Sequence, residues 1–140
     1  MQFVSAYIAA LVVFGATDLV WLSVMGPLLY RPVLGDILLQ NLRIAPAIAF
    51  YALFPAGLVT FCVMPGLKDG SALTALLYGA LLGMMAYATY DLTNYATLRN
   101  WTLQITLLDI VYGAAASGVA SAMAVLALRH LPGWLGGTAS

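Results

Sequence analysis

The sequence predicts an all-α membrane protein, a four-transmembrane-helix bundle with a short interfacial helix between spans one and two. Composition is the first reason: 64% of the 140 residues are hydrophobic and 7% charged. A mean hydropathy of +0.99 is beyond what a water-soluble domain of this size tolerates. The second reason is that four segments hold the roughly 20 apolar residues needed to cross a hydrocarbon core about 30 Å thick. The third is that Arg or Lys stands close to most of their ends. The same figures exclude other classes. Balanced charge leaves no basic face for nucleic acid and no polybasic patch for anionic lipid. One cysteine, Cys62, cannot close an internal disulfide, and one histidine, His130, cannot build a metal cluster with it. No glycine-rich phosphate loop, HExxH or CxxC pair occurs, so no cofactor or resident metal is expected.

The first span is placed at residues 3–25, closed by Gly26 and Pro27. It lacks the Lys/Arg region of a cleaved leader, its apolar run is too long, and Asp18 interrupts it, so it reads as a retained span. Residues 27–43 mix apolar side chains with Arg31, Asp36, Gln40, Asn41 and Arg43, which suits an interfacial helix at about 33–42. Span two, 44–63, carries Pro46 and Pro55, and its backbone is expected to bend or open locally at the second. A polar turn at 64–71 leads to span three, 72–98. Arg99-Asn100 is so short a connection that span four, 103–128, must lie antiparallel beside it. Residues 1–130 form a single membrane domain, and 131–140 a short Gly-rich tail expected to fray. Trp101 and Trp134 are expected at membrane interfaces.

Four spans put both termini on one face. The opposite face holds Arg31, Arg43 and Arg99, against Lys68 and Arg129, a bias of one positive charge. The positive-inside rule reads this as termini outside, and so small a bias leaves dual insertion open.

Within this apolar chain, the stretch from Tyr87 to Gly113 places two aspartates, Asp91 and Asp109, inside long hydrophobic segments, and Asp18 does the same in span one. An ionised carboxylate in hydrocarbon is costly, so such acids face a bundle interior or a water pocket and need a partner. Asp18 lies eight residues before Gly26, Asp91 eight before Arg99 and Asp109 eight after Trp101. At 1.5 Å per residue, each sits about 12 Å from the same membrane face. Helical spacing sets Tyr87, Asn94 and Tyr95 beside Asp91, and Thr106 and Tyr112 beside Asp109. Trp21 follows Asp18 by one turn. Gly79 and Gly83 in span three, with Gly113, Ser117 and Ser121 in span four, permit close helix approach.

Three readings of this layer remain open. It is a polar clasp of aspartates hydrogen-bonded to Tyr, Thr and Asn; a pocket in which proton uptake or release is coupled to ligand binding; or a hard-cation site of carboxylate oxygens. If Asp91 and Asp109 share a dry layer they cannot both ionise cheaply, and one is expected to carry a proton.

The string Tyr87-Ala-Thr-Tyr-Asp91-Leu-Thr-Asn94, followed by Ala96-Thr-Leu98, Trp101, Thr106, Asp109 and Gly113, resembles the bacterial membrane family DUF2177. Asp18, Trp21, Leu22, Tyr30, Leu34-Gly35 and Phe50-Tyr51 extend the resemblance over nearly the whole chain. Tyr112 departs from the tryptophan of the family pattern. The resemblance implies a small four-span, multi-pass protein of the bacterial inner membrane and carries no catalytic assignment. Through relatives encoded near enzymes that modify fatty-acyl chains, it also implies a lipid-related role.

Two main functions follow as expectations. One is a binding or proton-linked transport protein for a lipid or small amphiphile, with Asp18, Asp91, Asp109, Tyr87, Asn94, Tyr95, Thr106, Tyr112 and Trp21 as its site. The other is an accessory subunit that partners a membrane enzyme acting on lipids. A lipid-acting enzyme is a third alternative, disfavoured because no nucleophile and base pair has recognisable spacing. Expected partners are therefore the bilayer, a lipid or amphiphile ligand, a membrane enzyme, or further copies of the chain.

Overall fold

The computed structural model describes residues 1–132, and the expected interfacial Trp134 lies outside them, as does most of the 131–140 tail. Among the described residues there is helix and no strand. The order is α1 (Gln2–Met25), a π-helical segment Gly26–Tyr30, α2 (Arg31–Leu34), α3 (Ile44–Leu58), a second π segment Val59–Val63, α4 (Met64–Lys68), α5 (Ala72–Thr97) and α6 (Leu103–Arg129). They assemble into four helices long and apolar enough to cross a membrane: Gln2–Leu34, Ile44–Lys68, Ala72–Thr97 and Leu103–Arg129.

The two long helices of the second half, α5 and α6, each start at a side-chain cap. Ser71 accepts from the Thr74 N–H at 3.2 Å at the start of α5, and Thr102 does the same for Ile105 at 3.2 Å at the start of α6. Gly70, at φ +64°, supplies the left-handed turn that lets α4 reverse into α5.

Both π segments end two residues before a proline, Tyr30 before Pro32 and Val63 before Pro65. A proline ring collides with the carbonyl four residues back, and a widened turn relieves the collision without ending the helix. The span-two distortion expected at Pro55 therefore lies one turn later. The expected interfacial helix at 33–42 is corrected in the same way. Its helical part is Arg31–Leu34, reached without a break from the first span, and residues 35–43 are turn and irregular chain. At 33 residues the first helix is longer than the roughly 20 needed to cross a bilayer, and Leu29 and Leu34 at its end pack on Trp101 and Ile105. Trp101 is correspondingly buried, its ring edge-on to Tyr90 at 5.5 Å.

The last helix, α6, is the centre of the bundle. Its inward row Asp109, Gly113, Ser117, Ser121, Val125 repeats every fourth residue, and so do Ala75, Gly79, Gly83, Tyr87, Asp91 on α5 and Ala6, Ala10, Phe14, Asp18 on α1. Rows of this spacing interlock. The α5–α6 contact is close enough that a Cβ on Gly79 would stand 2.6 Å from the Ser117 carbonyl oxygen. Apolar layers close the bundle toward one end around Val59, Val63, Ala75 and Val125, and in the middle around Phe14, Leu58, Cys62 and Ala116. The acids lie between this middle layer and the Trp101 end.

Candidate functional site

Each aspartate occupies the next position of an inward i, i+4 row, so the helical repeat that buries Phe14, Gly83 and Gly113 also buries the acids. Asp18, Asp91 and Asp109 are 6%, 0% and 7% exposed. All five basic side chains, Arg31, Arg43, Lys68, Arg99 and Arg129, are exposed, so the acids have no cationic partner inside the bundle.

Phenols take the place of cations. Asp18 accepts from two: the Tyr112 hydroxyl donates to its Oδ1 at 2.8 Å, and the Tyr51 hydroxyl donates to its Oδ2. Asp109 accepts at Oδ1 from the Tyr30 hydroxyl, which in turn accepts from the Trp21 indole N–H at 2.9 Å. The Trp21 ring stacks on Tyr112, 4.2 Å between centroids and 10° from parallel, and Tyr87 meets Tyr112 edge-on at 5.9 Å. Trp21 therefore links the Asp18 half of the layer to the Asp109 half, by stacking on one side and by hydrogen bond on the other. The π-helical segment Gly26–Tyr30 carries the chain from α1 to Tyr30, whose hydroxyl meets the Trp21 indole nine residues earlier.

Asp91 is different. It is fully buried, and neither carboxyl oxygen accepts a hydrogen bond from a protein donor. The group within hydrogen-bonding reach is the Asp109 carboxyl, which itself accepts from the Tyr30 hydroxyl. Two ionised carboxylates have no hydrogen between them, so this contact becomes a hydrogen bond only when one of the two is protonated.

Of the residues expected at the site, the structure brings together Asp18, Trp21, Tyr87, Asp91, Asp109 and Tyr112. It does not bring in the others. Thr106 is buried one turn before Asp109 but turns its hydroxyl back to the Thr102 carbonyl at 2.9 Å. Asn94 is half-buried and interacts with Tyr90. Tyr95 is 46% exposed on the outside of α5. Tyr30 and Tyr51 were not among the expected site residues, although both carry the family resemblance; that resemblance was the one signal pointing to them. Among the described residues no three His, Cys, Asp or Glu side chains are grouped as metal ligands, and both oxygens of Asp18 are already turned to phenols.

Four apolar helices around a buried layer of carboxyls, phenols and indole define a small integral membrane protein with a polar centre. Residues 3–126 match the model of the family described as predicted membrane protein (DUF2177), and the chain belongs to that family. No curated protein and no solved structure matches it.

Proposed function

We propose that the layer is a proton-linked binding site for a lipid or small amphiphile in the bacterial inner membrane. The observation that carries the proposal is Asp91, fully buried, without a protein donor, and facing a second acid. A bundle needing only a clasp is served by Asp18, whose two oxygens each have a phenol. An added acid with nothing to donate to it costs stability, and intramembrane acids of this kind mark proton relays and substrate paths. One proton held between Asp91 and Asp109 neutralises half of the pair, and a ligand that changes the local charge changes that proton's occupancy. The accessory-subunit reading has no residue of comparable cost behind it. Its working surfaces, such as the exposed Ile44, Ile48 and Phe50 of α3, are what any lipid-facing helix presents.

The test is proton counting. Purified protein in lipid nanodiscs at pH 7 under light buffering is titrated with dodecyltrimethylammonium, dodecanoate and lysophosphatidylcholine, and proton release or uptake is followed with a pH dye. At least one probe is expected to move protons in the wild type and none in Asp91→Asn. Equal proton movement in the mutant, or none in the wild type, overturns the proposal.

A further inference from the structure

Between α1 and the first half of α3 lies an apolar groove of about 310 Å³ lined by Tyr7, Leu11, Ala47, Ile48, Tyr51 and Ala52. It exists because α3 leans away from the bundle at its start: every residue from 44 to 50 is exposed, and α3 is tied back by the Tyr7 hydroxyl, which donates to the Ala52 carbonyl at 2.8 Å. Tyr51 belongs to both compartments. Its ring lines the groove while its hydroxyl donates to Asp18. A chain lying in the groove therefore ends one phenol away from a buried carboxylate.

The headgroup chemistry follows from what surrounds that carboxylate. The titratable groups facing the layer are Asp18 on α1, Tyr30 on the π segment after it, Tyr51 on α3, Tyr87 and Asp91 on α5, and Asp109 and Tyr112 on α6. None can become a cation, and all five basic residues of the chain are exposed. An anionic headgroup would meet acids and no counter-charge. A cationic one meets carboxylates and aromatic faces, the stacked Trp21–Tyr112 pair and Tyr87, which attract ammonium groups in a desolvated setting. The groove volume is at the lower end for ligand pockets, which suits one alkyl chain.

Resting on the amphiphile-binding reading above, we infer that the ligand is a single-chain amphiphile with an ammonium-type headgroup, its chain seated in the α1–α3 groove and its headgroup at Asp18. The headgroup replaces the Tyr51 hydroxyl on Asp18. A fixed positive charge is thereby added to a layer that holds Asp91 and Asp109, and it favours release of a proton held between them.

The experiment compares three probes that share a dodecyl chain, in phosphatidylcholine nanodiscs at pH 7: dodecyltrimethylammonium, dodecanoate and dodecyl maltoside. Binding is measured against empty discs, alongside proton release. Dodecyltrimethylammonium is expected to bind at least about tenfold tighter than the others and to release protons, and Asp18→Asn is expected to remove that preference. Ile48→Trp, at a position 63% exposed and so free to fold, fills the groove and is expected to weaken binding of the cationic probe about tenfold. Preference for dodecanoate with proton uptake would overturn the cationic headgroup and leave the proton-linked site standing. Absence of binding or proton movement with every probe would overturn both. Undiminished binding in Ile48→Trp would overturn the groove as the seat of the chain.

Discussion

The indole of Trp21 lies flat on the phenol of Tyr112, with centroids 4.2 Å apart and planes 10° from parallel, while its N–H donates to Tyr30. One side chain thus makes two separable contributions, an aromatic face and a donor. Trp21→Phe keeps a ring against Tyr112 and removes the donor, and is expected to cost about 1 kcal/mol. Trp21→Ala loses both and is expected to cost about 2–4 kcal/mol at this half-buried position. Reversible unfolding in mixed micelles separates the two. Equal costs would show that the ring contributes nothing beyond its N–H.

The two phenols on Asp18 are coupled through the carboxyl they share. Tyr51→Phe and Tyr112→Phe are each expected to cost about 0.5–2 kcal/mol, because Asp18 keeps one donor in either case. Together they leave a buried acid with none, so the double mutant is expected to lose more than the sum. Asp18→Asn in the double mutant, which replaces the donorless acid by an amide, is expected to recover part of the loss. Strict additivity in the unfolding cycle would refute the shared role.

Two glycines in opposite settings, one at the α5–α6 interface and one on α1, form a matched pair. A Cβ on Gly83 would run into the Gly113 carbonyl oxygen and the Ser117 side chain, and backbone on that side has no room to yield. Gly83→Ala is expected to destabilise by about 2 kcal/mol or more. Gly15, in α1, has nothing within 4 Å of its would-be Cβ, and Gly15→Ala is expected to gain up to about 1 kcal/mol from helix propensity. Thermal unfolding of both mutants in one detergent checks the contrast.

These contacts also separate what was legible in the chain from what was not. Apolar run length and flanking charge gave the number of spans, although the first helix continues to Leu34 and the second to Lys68, and the spacing of Gly79, Gly83, Gly113, Ser117 and Ser121 gave the close hairpin, because both depend on local pattern. The burial of the three acids was legible for the same reason. The donors were harder. Tyr51 and Tyr30 reach acids 33 and 79 residues away, and the Tyr30 contact depends on a π turn that continues span one past Pro27 where a break was expected. Tyr95 shares a helical face with Asp91 but lies one turn nearer the end of α5, where its side chain is exposed on the outside of the bundle. Thr106 illustrates a different limit: its hydroxyl is on the correct face, yet the carbonyl four residues earlier takes its hydrogen.

Protonation of the Asp91–Asp109 pair is the sharpest expectation. Asp109 has the Tyr30 hydroxyl as donor, whereas Asp91 has no protein donor and is fully buried. Of the two, Asp91 therefore gains more by carrying the proton and donating it to Asp109, which as a carboxylate then accepts from both Tyr30 and Asp91. Carboxyl-region infrared spectra at pH 7 are expected to show a protonated carboxyl in the wild type. That band should vanish in Asp91→Asn, since Asp109 can then ionise with Tyr30 and an amide as donors, and persist in Asp109→Asn, which leaves Asp91 buried beside a neutral group. Because a neutral amide replaces a neutral acid, Asp91→Asn should change stability by no more than about 1 kcal/mol. Arg99→Gln should do as little, since Arg99 is exposed, whereas a clasp built on a carboxylate–arginine pair would lose stability in both mutants. A wild type with no protonated carboxyl at pH 7 would refute the shared proton, and with it the case for a proton-linked site.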